Sequence, residues 1–99
     1  MKEWEKQERR TAKRYNGSRS PGSGNGPTRK NDVRNEHWLF ENKHTGNRRS
    51  ITLLAKDLED LRRNANVEGR VPALQFDLAG RSYVVVHEGD FFDRFGDTE

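Results

Sequence analysis

Cysteine is absent from the 99 residues of this chain, which excludes disulfide bonds, thiolate zinc sites and cysteine nucleophiles. Hydrophobic residues make up only 29% of the sequence, and no apolar run approaches the ~20 residues that a bilayer span requires. The first ten residues also lack the apolar stretch of a secretory signal peptide. We therefore expect one small domain over residues 1–99, cytoplasmic, without membrane contact and with a thin core.

Positive charge is concentrated in the first third of the chain. Residues 1–35 contain ten Lys or Arg and four Asp or Glu, a net charge of +6, whereas residues 36–99 contain nine and twelve, a net charge of −3. A basic, glycine-rich segment next to an acidic, strand-rich one is typical of a surface that faces nucleic acid. The alternative is a disordered basic tail on an unrelated domain.

Residues 3–15 predict an amphipathic helix. At about 100° per residue, Glu8 falls in the apolar stripe between Trp4 and Tyr15, opposite a face of Lys and Arg residues. An inward carboxylate is costly unless it is paired, bound to metal or open to a cleft. The alternative is a partly solvated glutamate at the edge of a short helix.

Four glycines and two prolines in residues 16–31 predict a flexible, basic loop. Its glycine, serine and arginine residues are of the types that cradle a phosphate, although a linker without function has the same composition. The loop matches neither the Walker A nor the dinucleotide-binding pattern, so it gives no basis for predicting a nucleotide cofactor.

A two-residue hairpin turn is predicted at Asn35-Glu36, which would place Asp32 opposite Leu39 and diagonal to Glu41 on one face of a sheet. Lys43 lies on the same face. Two carboxylates so placed can converge on one divalent cation, and an ammonium group beside them can orient a water or stabilise charge on a phosphate. The alternative is an ion pair on a solvated sheet face.

The rest of the sequence predicts one further helix and several strands. An apolar stripe with helical spacing indicates a helix over 55–68 that ends at Gly69, and alternation predicts a hairpin around Ala79-Gly80. An exposed last strand leaves open a structural or interaction protein. The predicted segments are a strand at 50–53, strands at 73–78 and 81–87, and a short helical segment at 90–95, with Trp38, Phe40, Phe76, Phe91 and Phe92 in the core.

The chain from residue 8 to about 92 resembles the PD-(D/E)XK nuclease superfamily, and more narrowly the small phage-encoded enzymes similar to archaeal Holliday junction resolvases. That pattern has a glutamate and an alanine on a first helix, then a glycine, an S-G pair, a G-D-V hairpin and a strand with E-x-K-x-T. Asn31 stands here in place of the usual glycine before the aspartate. The matching residues are Glu8, Ala12, Gly17, Ser23-Gly24, Asp32-Val33, Glu41, Lys43 and Thr45, with a later A-x₂₋₃-G-R-x-P run echoed by residues 65–74.

The resemblance implies an α/β fold with a restriction-endonuclease-like αβββαββ core, in which a central mixed sheet is flanked by helices. It also implies a metal-dependent endodeoxyribonuclease that cuts branched DNA as a homodimer, in the host cytoplasm if the chain is phage-encoded. The alternative function, considered from the residues themselves, is a non-catalytic basic nucleic-acid-binding module.

The resemblance further assigns roles to individual residues. Asp32 and Glu41 would bind Mg²⁺ or Mn²⁺ together with the Asn42 carbonyl. Lys43 would position the water nucleophile, and Glu8 would complete the metal site or a second one. Contacts to DNA are expected from Arg10, Lys13, Arg14, Arg19, Ser23, Gly24, Arg29 and Lys30, with Ser23 near the scissile phosphate. Gln75 on a later strand would border the site.

Overall fold

The computed structural model of the chain describes residues 3–19 and 32–96. No helix in these two ranges is long and apolar enough to cross a membrane. The elements are α1 (Glu3–Arg14), β1 (Ser18–Arg19), β2 (Asp32–Arg34), β3 (Trp38–Lys43), α2 (Ala55–Glu68), β4 (Val71–Leu78), β5 (Arg81–Val85) and α3 (Glu88–Phe91), followed by a π-helical turn over Phe92–Gly96.

The five strands form one mixed sheet in the order β1-β2-β3-β4-β5. Strands β3 and β4 run parallel, and the other neighbouring strands are antiparallel. A parallel pair needs a crossover connection, and α2 provides it between β3 and β4. The predicted α/β class with a mixed sheet and helices is thereby confirmed.

Helices α1 and α2 cover opposite faces of the sheet. On the α2 face, Leu39 and Leu74 pack with Leu61 and Ala65 of the helix, which confirms that part of the predicted apolar stripe. Leu54, the first residue of the predicted stripe, is 55% exposed, so its assignment to the stripe is wrong. On the α1 face, the buried residues Val33, Phe40 and Ala73 pack with Ala12 and Tyr15. Since side chains alternate along a strand, the strand neighbours of these residues can be assigned to one face or the other.

Backbone geometry at the ends of the helices explains two of the glycines. Helix α2 ends at Gly69, as predicted, with a φ of 69° in the left-handed region. After α1 the chain turns at Asn16, whose φ is 53°, and runs next to β2. A Cβ at Gly17 would lie 2.7 Å from the Arg34 carbonyl oxygen, so only glycine permits this close approach.

The three strands that precede α2 are only partly those predicted. The short strand β1 pairs with β2 and was missed, because the glycine-rich composition there predicted a loop. The strand predicted at 50–53 is wrong, since these residues have no regular structure. Within the described sheet, β3 is already paired on both sides, by β2 and β4, and the chain leaves the sheet to reach α2.

The C-terminal hairpin and helical segment form as predicted, but two of the aromatic residues expected in the core are exposed. Ala79 and Gly80 make the two-residue turn, both with positive φ. Phe91 and Phe92 are 54% and 60% exposed, so their assignment to the core is wrong. Phe91 ends α3 and Phe92 begins the π-helical turn, and both side chains are exposed in the described structure.

Candidate functional site

The register of the β2–β3 hairpin brings two acidic residues together. Asp32 pairs directly with Glu41, and Arg34 pairs with Leu39. The predicted register, with Asp32 opposite Leu39, is therefore wrong by two residues. A shift of two keeps every side chain on its predicted face, so Asp32 and Glu41 still share one face and lie closer than expected. Directly opposed residues have Cβ atoms about 4.5–5.5 Å apart.

The side chain of Asn35 stabilises the turn between β2 and β3. Its Oδ1 accepts hydrogen bonds from the backbone N–H groups of His37 and Trp38, at 2.9 and 2.8 Å. Its Nδ2 donates to the carbonyl of Tyr15 at 3.0 Å, which also fixes the loop to the end of α1. The backbone N–H of Asn35 donates to the Trp38 carbonyl at 3.0 Å, so the two-residue turn is Glu36-His37, one residue later than predicted.

Asp32 and Glu41, which we call the carboxylate pair, lie on the α2 face of the sheet. Leu39 on that face contacts α2, and Glu41 follows it by two residues. Asp32 is buried, and Glu41 is partly exposed. The Arg34 guanidinium lies 3.9 Å from an Asp32 oxygen and also binds Glu68 of α2 at 2.9 Å.

The electrostatic setting of Glu41 is unfavourable for its charged form. Burial, followed by the negative charge of Asp32, raises the pKa of Glu41 from 4.5 to about 7. Asp57 adds to the rise and Lys43 opposes it. A carboxyl with such a pKa is half-protonated near neutral pH, and a cation bound beside it would favour its ionised form.

Lys43 lies where the sequence pattern predicted it. It is partly exposed on the same strand face as Glu41, and its charge lowers the pKa of that carboxyl. Its backbone carbonyl accepts a hydrogen bond of 3.0 Å from Gln7 Nε2, which ties this end of β3 to α1. The ammonium and the carboxylate pair therefore face the same region above the sheet.

Glu8 belongs to the other side of the molecule. It is fully buried, at 0% exposure, which confirms the inward orientation that the helical pattern predicted. Its helix packs on the face that carries Phe40, whereas the carboxylate pair lies on the α2 face. The structure does not assemble Glu8 with Asp32 and Glu41 into one cluster, and a metal-binding role for Glu8 stays a prediction.

A layer of buried amides and hydroxyls lies between α1 and the sheet. Gln7 Nε2 donates to Gln75 Oε1 at 2.6 Å, and Thr11 Oγ1 donates to Asn42 Oδ1 at 2.7 Å. Gln75 and the Asn42 side chain are thus engaged on the α1 face, away from Glu41. The proposed ligand atom of Asn42, its backbone carbonyl, is a separate group and stays a prediction.

The predicted nucleic-acid contacts divide into two sets. Arg10, Lys13 and Arg14 are exposed on α1, as the helical pattern predicted. Arg10 is also held by Asp77 through two hydrogen bonds of 3.0 and 2.9 Å. The remaining predicted contacts, Ser23, Gly24, Arg29 and Lys30, lie outside the described residues, as does the side chain of Arg19.

The donor set suits a hard divalent cation. Carboxylate and carbonyl oxygens are the ligands that Mg²⁺ and Mn²⁺ prefer, and Mg²⁺ commonly binds one or two protein carboxylates and keeps several waters. In the two described ranges, no group of three or more His, Asp and Glu side chains is arranged to hold a metal ion. The fit therefore rests on two carboxylates and not on a preformed triad.

Asp57 is a neighbour of the site that the sequence analysis missed. It lies in the first turn of α2, and its charge contributes to the raised pKa of Glu41. The helical spacing contained the signal, because Asp57 lies three residues after Leu54 and four before Leu61, at the border of the apolar stripe. An acidic residue at that border faces the sheet rather than bulk solvent.

No protein-family model, curated protein or solved structure matches this chain.

Proposed function

We propose that this chain is a metal-dependent endodeoxyribonuclease of the PD-(D/E)XK type. The observation that carries the proposal is the direct pairing of Asp32 with Glu41, with Lys43 two residues further on the same face. Phosphodiester hydrolysis needs neutralisation of the scissile phosphate and an activated water. A carboxylate pair with an adjacent ammonium supplies groups for both.

Asp32 and Glu41 would hold Mg²⁺ or Mn²⁺, with the Asn42 carbonyl as a further ligand. When bound, the ion supplies a Lewis acid for the phosphate and lowers the pKa of water. Lys43 orients the attacking water or stabilises negative charge on the phosphate, since its charge already acts at the Glu41 carboxyl. Arg34 holds β2 against α2 through Glu68 and so keeps Asp32 in place.

The restriction-endonuclease-like core, the preference for branched DNA and the homodimer belong to this proposal through the sequence resemblance. Support for the core comes from the mixed sheet with helices on both faces and from the acidic pair on the hairpin. A dimer would provide two sites for cutting two strands. The exposed basic residues of α1 are also what a non-catalytic nucleic-acid-binding module would carry, so cleavage has to be measured directly.

The test is a cleavage assay on four-way junction, flap, duplex and single-stranded DNA with Mg²⁺ or Mn²⁺. We expect cleavage by the wild type and a loss of about 100-fold or more in Asp32→Asn and Glu41→Gln. The matched control is Glu59→Gln, which removes one exposed carboxylate from α2 and should cleave normally.

DNA binding by the two inactive variants in EDTA should equal that of the wild type. The absence of cleavage on all four substrates with both metals, together with tight binding, would replace the proposal with the non-catalytic module. Wild-type cleavage rates in Glu41→Gln would overturn the assignment of the carboxylate pair.

A further inference from the structure

A cleft of about 470 Å³ lies on the α1 face, between the helix and strand β5. Its basic walls come from Arg10 and Arg14, one turn apart on α1, and Arg81 borders it at β5, the edge strand of the described sheet. Tyr15, Gln75 and Val84 also line it. The carboxylate pair contributes nothing to this cleft, because it lies on the opposite face of the sheet.

The arginines of the cleft have hydrogen-bond donors that are not used within the described residues. Among the residues that the structure describes, Arg14 and Arg81 have no carboxylate partner. Both hydrogen bonds from Arg10 to Asp77 use Nη2, so its Nε and Nη1 groups have no partner in the same residues. A planar guanidinium held in place by a carboxylate is pre-organised to bind a phosphate oxygen.

The carboxylate of Asp77 does not cancel this positive charge. Burial acts to raise the pKa of Asp77, but hydrogen bonds from Ser82 and Arg10 lower it below its ordinary value, so the group stays ionised. Its oxygens accept from Arg10, Ser82 and Gln75. Three guanidinium groups with one engaged carboxylate leave the cleft net positive.

We propose that this cleft binds the phosphates of a single-stranded segment of nucleic acid, and that this segment is not the one presented to the carboxylate pair. The separation from the segment at the carboxylate pair rests on the proposed nuclease function, whereas binding of a single strand to the cleft does not. A single strand is flexible enough to enter a cleft of this size, and its backbone supplies the anions that three arginines match. The sheet separates the two sites, so one phosphate cannot contact both.

The experiment measures binding of a fluorescent oligothymidylate by anisotropy, in EDTA and at several salt concentrations. Arg14→Gln and Arg81→Gln should each weaken binding about three- to ten-fold at low salt, and each should reduce the slope of log K against log salt by about 0.7. The matched control is Arg62→Gln, which removes the same charge from the exposed surface of α2. It should bind as the wild type does.

Several results would overturn the proposal that the cleft binds single-stranded nucleic acid. These are unchanged binding in Arg14→Gln and Arg81→Gln, equal weakening in Arg62→Gln, or displacement of the oligonucleotide by polyglutamate at equal charge. A wild type that binds no oligothymidylate also overturns it, whereas the proposed function is judged separately by cleavage. If cleavage is observed, the two cleft variants should raise KM and leave kcat unchanged; a fall in kcat at constant KM would contradict the separation of the two segments.

Discussion

Replacing Glu41 by Gln should stabilise the protein above neutral pH. Burial and the charge of Asp32 raise the pKa of Glu41 from 4.5 to about 7, so the folded chain holds a proton there more tightly than the unfolded chain does. The stabilisation that this bound proton contributes is fully present below about pH 4.5 and is lost as the pH rises through about 7. A glutamine cannot ionise, so the variant avoids the loss.

The size of the effect follows from the pKa. A rise from 4.5 to about 7 corresponds to about 3 kcal/mol for a fully buried group. Glu41 is partly exposed, and solvent screening reduces the expected difference to about 1–2 kcal/mol. In a domain of this size that difference corresponds to about 5–10 °C in Tm.

The assay is thermal unfolding of both proteins in EDTA across a range from about pH 4 to about pH 8. The difference in Tm between Glu41→Gln and the wild type should grow with pH and level off above about 7, and Glu59→Gln should show no such growth. A pH-independent difference would mean that packing, and not ionisation, separates the two proteins. No difference above pH 7 would refute the reasoning about the carboxylate pair.

Two further predictions concern the α2 layer. Leu61→Ala should destabilise the protein by about 2–4 kcal/mol in urea unfolding. Leu54→Ala truncates a leucine that is 55% exposed and should destabilise it by less than about 1 kcal/mol. Equal losses in the two variants would contradict the packing described for α2. Arg34→Ala should destabilise the protein by about 2 kcal/mol in the same measurement, which is less than the loss of a fully buried ion pair because Arg70 still binds Glu68. A double-mutant cycle with Glu68→Ala that gives no coupling energy would contradict the Arg34–Glu68 interaction.

Much of the fold follows from periodicity in the sequence, and the errors have local causes. Both long helices and the last hairpin were predicted, because their apolar spacing agrees with the layer that buries them. The strand at 50–53 was not found, since apolar residues there indicate a strand only if the sheet offers a neighbour. Strand β1 was missed because glycine-rich composition predicts loops, whereas Gly17 serves a close approach to Arg34.

The candidate site was predicted in part for a similar reason. The sheet face predicted for Asp32 and Glu41 was correct despite the wrong register, because side chains two residues apart on a strand point to the same face. What sequence spacing does not specify is the position of the turn, which the hydrogen bonds of Asn35 place at Glu36-His37, one residue later than predicted. Nor does the spacing of Glu8 on its helix determine which face of the sheet that helix covers; only the packing of Ala12 and Tyr15 on Phe40 does so.

The hydrogen bonds beneath α1 also determine where its surface charge points. An apolar contact tolerates small rotations, whereas the bonds of Gln7 and Thr11 to Gln75 and Asn42 have directions. Rotating the helix by one residue, about 100°, would break them all at once. The direction in which the arginines face solvent is therefore set by buried, uncharged groups, and a change among them would alter the electrostatic potential of the surface without altering its composition.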